Sequence, residues 1–255
     1  MVSCSRLAAV LVLVFSPWLQ AVALAAEIHV AVASNFLLPM QAIAARYEQH
    51  SGDRLIISAG STGKLYAQIV NGAPYDVFLA ANSREPERLE QQAYAEAHSR
   101  FTYARGQLAL WDPRGRYAQT TLKDVLMNAP YQRLAMANPL TAPYGAAAMD
   151  VLKTFQLDKN DRTKILRGEN VSQAFQYLAS GAADLGFVAL AQIRTLADNK
   201  QGHVWVVDES MHAPILQQAV LLASSKHRDQ ARAFLDYLKS DQGRAMIESF
   251  GYGSL

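Results

Sequence analysis

Residues 58–81, SAGSTGKLYAQIVNGAPYDVFLAA, set Gly60, Ser61, Thr62, Gly63 and Lys64 in succession, the residue types of a phosphate-binding loop. A nucleotide loop needs four residues between its first glycine and the Gly-Lys pair, so that backbone amides wrap a chain of phosphates, and a Ser or Thr after the lysine to hold magnesium. Here Gly60 and Gly63 enclose only Ser61 and Thr62, and Leu65 follows the lysine. The spacing therefore argues against ATP or GTP. What remains is a glycine-permitted turn, two hydroxyls and a helix start carrying partial positive charge, a device suited to one compact anion. Lys64 is expected to be a solvent-facing helix cation, with a direct bridge to the anion as the alternative.

The same chemistry recurs along the chain. Ser34 and Asn35, two residue types favoured at helix N-caps, stand between an apolar β-branched run, Glu27 to Ala33, and a segment with Met40, Ile43, Ala44 and Tyr47 at helical spacing. In NPLTAPYG, Pro143 suits a first helical position and leaves the amides of Tyr144 and Gly145 as free donors. Asn170-Val171-Ser172-Gln173 has the form of a capping box, with Asn170 capping and Gln173 reaching back.

These junctions are positioned by alternating strands and helices. Strands are expected at Glu27–Ala33, Arg54–Ala59, Asp76–Ala81, Leu134–Ala137, Asp184–Leu190, His203–Val207 and Ile215–Ala223. Helices follow most of them, and the last two, Asp229–Lys239 and Gln242–Phe250, close the chain. Such a pattern implies an α/β protein with helices on both sheet faces, and ligands there sit beyond the carboxyl ends of strands. Simple capping explains any one junction; four together point to a site.

Other chemistries find less support. Asp76, Asp112 and Asp184, and His29, His50, His98, His203, His212 and His227, fall at neither metal-ligand nor triad spacing, so no catalytic residue, metal-ligating cluster or cofactor is expected. The formal net charge of +2, with acidic and basic residues interspersed, lacks the basic stripe of a nucleic-acid binder. Tyr103, Trp111 and Tyr131 are expected in the core rather than in a cleft. The first 26 residues combine an arginine, an apolar run broken by Pro17 and Gln20, and Ala23-Leu24-Ala25, the pattern of a cleaved secretory signal. Cys4, the only cysteine, would leave with it, so cysteine chemistry in the mature chain is excluded.

Together the signal, VAVASNF, GSTGKLYAQIVNGAPYDVFLAA, NPLTAPYG, GENVSQAF and GAADLGFVAL resemble the periplasmic molybdate-binding proteins of ATP-driven transporters, from about Glu27 to Tyr252. The resemblance implies a type II periplasmic binding-protein fold of two Rossmann-like lobes with the ligand cleft between them. It implies lobe one at 27–104 plus 214–255 and lobe two at 105–213, crossed near Tyr103–Gln107 and Met211–Pro214. It further implies a monomeric periplasmic protein that binds molybdate or tungstate and delivers it to an ABC-type membrane permease. Another oxyanion such as sulfate is the alternative, then a secreted α/β hydrolase. The family's ligand positions fall on Ser34, the Ser61/Thr62 pair, and the backbone amides of Tyr144 and Val171. Asn35 is expected to add a side-chain donor. Ala189 stands where part of the family has a tyrosine hydroxyl at the ligand.

Overall fold

The computed structural model describes residues 25–157 and 164–253. The expected signal segment up to residue 24, with Cys4, lies outside the described residues. Strand β1 (Glu27–Ala33) runs through a short 3-10 turn at Ser34–Phe36 into α1 (Leu37–Ser51), β2 (Arg54–Gly60) into α2 (Thr62–Val70), and β3 (Val77–Leu79) into α3 (Arg84–Gln91). Next come β4 (Phe101–Gly106), β5 (Leu108–Asp112), α4 (Leu122–Asn128), β6 (Leu134–Ala137) and α5 (Pro143–Thr154). They are followed by β7 (Ile165–Gly168), α6 (Val171–Ala179), β8 (Leu185–Ala189), α7 (Leu190–Arg194) and β9 (His203–Val206). Then β10 (Ile215–Leu221), α8 (Arg228–Lys239) and α9 (Asp241–Ser249) close the chain.

The strands form two five-stranded sheets, ordered β2-β1-β3-β10-β4 and β7-β6-β8-β5-β9. In the first, β1 pairs in parallel with β2 and β3, and β10 lies antiparallel between β3 and β4. In the second, β6 pairs in parallel with β7 and β8, while β5 runs antiparallel to β8 and β9. The chain passes from β4 to β5 through Gln107 alone and returns between β9 and β10. Each sheet is covered on both faces, so its central strands are apolar throughout rather than alternating. Val30 and Val32 face Met40 and Ile43 of α1 and Phe234 and Leu238 of α8; Ala31 and Phe78 face Leu65 and Ile69 of α2. Trp111, Val151, Leu178 and Phe187 belong to the core of the second sheet. Full burial of side chains this size contributes roughly 1.5–3 kcal/mol each, which fixes the strand ends against the helices that start beside them.

The structure departs from the sequence pattern in places. Strands β4, β5 and β7 and helices α4 and α7 were not foreshadowed by it. FTYARG of β4 mixes Thr, Arg and Gly and so lacks an apolar run, and α7 follows β8 without any polar break, so Leu190 opens the helix rather than ending the strand. Helix α5 begins at Pro143, the residue expected at its first position. Asn170 does cap α6, accepting from Gln173 N at 3.0 Å, but the Gln173 side chain accepts from Glu169 N at 2.6 Å rather than from the cap residue's own amide.

Candidate functional site

Four chain segments, each leaving the carboxyl end of a strand, meet at one place. Ser34, Asn35, Ser61, Thr62, Tyr144 and Val171 line a single small pocket, completed by Ala33, Gly60, Ala81, Ala142, Pro143 and Asn170. Two of these segments come from the first sheet and two from the second, so the pocket lies between the sheets. No lining residue carries a formal charge.

The first-sheet wall is built from side-chain hydroxyls. Ser61 occupies the N-cap of α2 with extended backbone, yet its hydroxyl makes no capping bond to the helix. It is buried, 4 % exposed, and its Oγ has no hydrogen-bond partner among the described residues. A buried hydroxyl in that state costs about 1–3 kcal/mol, and a ligand acceptor would restore it. Thr62 differs: its Oγ1 accepts from Ala81 N at 3.0 Å and ties the start of α2 to the end of β3. Ser34 does not cap α1 either, because the 3-10 turn moves the N-cap of that helix to Phe36. Its backbone carbonyl accepts from Ser172 Oγ at 2.9 Å, and its hydroxyl is left to the pocket.

The second-sheet wall presents backbone amides. Pro143 takes the first position of α5, so the next amides, Tyr144 N and Gly145 N, have no intrahelical acceptor. Gly145 is required there: a Cβ would stand 2.5 Å from Ala137 O, and α5 could not dock against the end of β6. Val171 is the first residue of α6, where the cap bond from Asn170 serves Gln173 and leaves Val171 N–H unspent. The starts of α2, α5 and α6 thus turn their positive dipole ends toward one small volume.

Bonds also join the two walls directly. Gly63 N donates to Thr141 O at 2.8 Å, and Ser172 Oγ reaches Ser34 O. Lys64 forms an ion pair with Glu169, which lies just before α6. Lys64 therefore spans the mouth of the cleft and neither faces solvent unpaired nor bridges into the pocket. Both side chains of the pair are more than half exposed, so it contributes about 0–1 kcal/mol.

Asn35 corrects one expectation. Its Nδ2 donates to Gln217 Oε1 at 2.8 Å and to Tyr252 Oη at 3.0 Å, so both amide hydrogens are already engaged and the side chain is not a spare donor to a ligand. Gln217, Tyr103 and Tyr252 form, with Tyr144 Oη, a buried polar layer beneath the pocket. Sequence reasoning did not connect these residues; the signal was Gln217 itself, a polar residue at a buried position of an apolar strand. Burial, reinforced by their mutual proximity, pushes the Tyr103 and Tyr144 phenols well above the ordinary tyrosine value, and burial raises Tyr252 likewise. All three remain neutral hydroxyls. Ala189 does not line the pocket; it is buried at the start of α7, its amide donating to Gln192 Oε1 at 3.2 Å.

The candidate catalytic carboxylates are absorbed by structure. Asp76 accepts from His29 N and Ser225 Oγ, Asp112 from the amides of Arg114 and Tyr117, and Asp184 from the amides of Gln132 and Arg133. Burial alone would raise Asp184, but those amides and Arg116 hold it below the ordinary carboxylate range. Among the described residues, no group of His, Cys, Asp and Glu is arranged to hold a metal ion, and no helix is long and apolar enough to cross a membrane.

The chain is similar over most of its length to proteins of known role. The molybdate-binding protein ModA of Azotobacter vinelandii is 43 % identical over 235 residues, covering 92 % of this chain and 93 % of the relative. ModA of Rhodobacter capsulatus is 36 % identical, covering 90 % and 89 %. The solved periplasmic molybdate-binding protein of Azotobacter vinelandii superposes with a TM-score of 0.86 at 40 % identity, over 90 % of this chain and all of that one. The fold is accordingly the two-lobed α/β periplasmic binding-protein fold. A family profile described as bacterial extracellular solute-binding protein matches residues 28–253, and the chain belongs to that family.

Proposed function

We propose that this chain binds one molybdate or tungstate dianion in the pocket between its sheets and delivers it, outside the cytoplasm, to an ABC-type membrane permease. The observation that carries the proposal is Ser61 Oγ, a helix-start hydroxyl that is buried, caps nothing and has no partner, in a pocket without a charged side chain. A fully ionised oxyanion accepts hydrogen bonds at every oxygen and donates none. Its partners must therefore all be donors, and Ser34 Oγ, Ser61 Oγ, Tyr144 N and Val171 N are such a set. Hydrogen bonds to a charged group contribute about 1.5–3 kcal/mol each, so a few of them offset the anion's desolvation without a counter-cation. Ser61 is the favoured hydroxyl donor on this reading because its Oγ has no partner among the described residues, while Thr62 Oγ1, which accepts from Ala81 N, keeps its own O–H to donate as a second hydroxyl.

The two lobes close around the ion, hinged at Gln107 and in the return segment before β10. The relatives named above as molybdate-binding support the choice of ion. The leading segment is a cleaved export signal on this reading, the mature chain works as a periplasmic monomer, and it takes no nucleic acid and catalyses no reaction. Sulfate has the same charge on a smaller frame, so donors fixed by helix ends fit it loosely. Monoprotonated phosphate is best served by an acceptor carboxylate, and the lining has none. Calorimetric titration with molybdate, tungstate, sulfate and phosphate at equal ionic strength tests this. One site with molybdate and tungstate far tighter than sulfate is expected; sulfate binding as tightly as molybdate, or no molybdate binding, overturns it.

A further inference from the structure

The side chain on which both walls of the pocket rest does not line it. Gln217 lies in β10, the strand by which the chain returns to the first sheet, and is 0 % exposed. A buried amide is tolerated when its donors and acceptors are paired, and these are. Its Oε1 accepts from Asn35 Nδ2 at 2.8 Å and Tyr103 Oη at 3.0 Å, and its Nε2 donates to Tyr144 Oη at 3.4 Å. The β10–β4 register shifts between Gln217 and Gln218, a local irregularity of the kind that re-aims a side chain. Asn35 is held further by Tyr252, whose Oη donates to Asn35 O at 2.9 Å, so the turn carrying Ser34 is pinned through its neighbour.

Tyr144 belongs to the other wall, since its amide is one of the free donors of α5. Its hydroxyl nevertheless sits among first-sheet residues. Gly106, the last residue of β4, makes room for it: a Cβ there would overlap Tyr144 Oη and lie 2.9 Å from Gln217 Nε2 and 3.0 Å from Ile215 Cγ2. Gly106, Gln217 and Ile215 form a socket in one sheet for the tip of a tyrosine whose helix packs on the other.

The geometry points to Gln217 as a positioning residue that couples the seating of Tyr144 in this socket to the placement of the Ser34–Asn35 turn, so that hydroxyl and amide donors reach the oxyanion together. This rests on the oxyanion reading of the pocket. When the lobes part, Tyr144 leaves with α5 and Gln217 Nε2 loses its acceptor; when they close, the bond forms and retains the ligand. The contact exists only in the closed arrangement, so its loss speeds release more than it slows capture.

Tyr144→Phe removes the hydroxyl and keeps the backbone amide, and Gly106→Ala fills the socket. Molybdate capture and release are followed by stopped-flow fluorescence, and ligand-free stability by calorimetry. Release roughly tenfold faster in both variants is expected, with capture by Tyr144→Phe within about twofold of wild type and its ligand-free Tm unchanged; the Gly106→Ala methyl also crowds Gln217 and Ile215 within the first sheet, so a lower ligand-free Tm is expected of that variant. Tyr144→Phe added to Gln217→Met is expected to quicken release no further than Gln217→Met alone, because both cut the same link. Unchanged release in Tyr144→Phe, additive effects in the double variant, or faster release in Tyr144→Phe matched by an equal loss of its ligand-free stability overturns the coupling role. If Gly106→Ala does not fold, Tyr144→Phe decides. A wild-type chain that ignores molybdate overturns the reading of the pocket itself, an outcome distinct from wild-type binding with variants unchanged.

Discussion

The two halves of the pocket recognise a ligand by different means. The first sheet contributes hydroxyls, Ser34 and Ser61, neither of which caps its helix, and Ser61 Oγ has no partner among the described residues. The second contributes backbone amides at Tyr144 and Val171, kept free by Pro143 at the helix start and by Asn170 serving a different amide. A side-chain donor can be erased by one substitution, whereas a backbone donor can only be misplaced. Affinity should therefore be fragile to mutation on one wall and robust on the other, while stability shows the reverse.

The largest effect is expected on the hydroxyl wall. Ser61→Ala should weaken molybdate binding by about 1.5–3 kcal/mol, and calorimetric titration should show ligand-free stability equal to wild type or slightly higher, because an unsatisfied buried hydroxyl is removed. Ser34→Ala should fall in the same range, with the fold intact; unchanged binding in either variant would take that serine out of the site. Asn170→Ala reverses the pattern: loss of the N-cap should cost about 1 kcal/mol of stability, seen in denaturant unfolding, with a smaller loss of affinity. An Asn170→Ala protein that binds far more weakly than Ser61→Ala would break the comparison. Smaller still is Lys64→Gln, which should reduce affinity by at most about 1 kcal/mol, an effect that shrinks as salt rises.

Titration sharpens the same contrast. No lining group ionises near neutrality, so molybdate affinity should be flat between about pH 7 and 9. The buried phenols act on stability instead. Their folded-state values lie above the unfolded value of about 10, so the folded protein holds these protons more tightly. Their contribution is complete below about pH 10 and is lost as pH rises beyond it, and Tyr144→Phe should lessen that alkaline decline.

Much of this was legible in the residues. Strand ends followed by Ser, Asn or Pro, with helical spacing beyond them, located each wall, because capping chemistry is local. β1 and β6 fall where their apolar runs place them, as both are covered on two faces. The use to which each polar group is put was not legible, since that depends on partners distant in the chain. Asn35 carries the right atoms but donates them to Gln217 and Tyr252, Thr62 Oγ1 accepts from Ala81 N, and Lys64 finds Glu169 across the cleft. Strand β4 was not legible in its residues, because it mixes Thr, Arg and Gly into a strand at a sheet edge, where one side is open and apolar periodicity is weak; the crossing near Tyr103–Gln107 came from the family resemblance alone.

Anomalous diffraction at the molybdenum edge from crystals grown with molybdate tests the central claim most directly. The account predicts one peak between the sheets, its oxygens about 3 Å from Ser34 Oγ, Ser61 Oγ, Tyr144 N and Val171 N, with Lys64 still paired to Glu169. A peak elsewhere, or an ion held by the lysine, would contradict it.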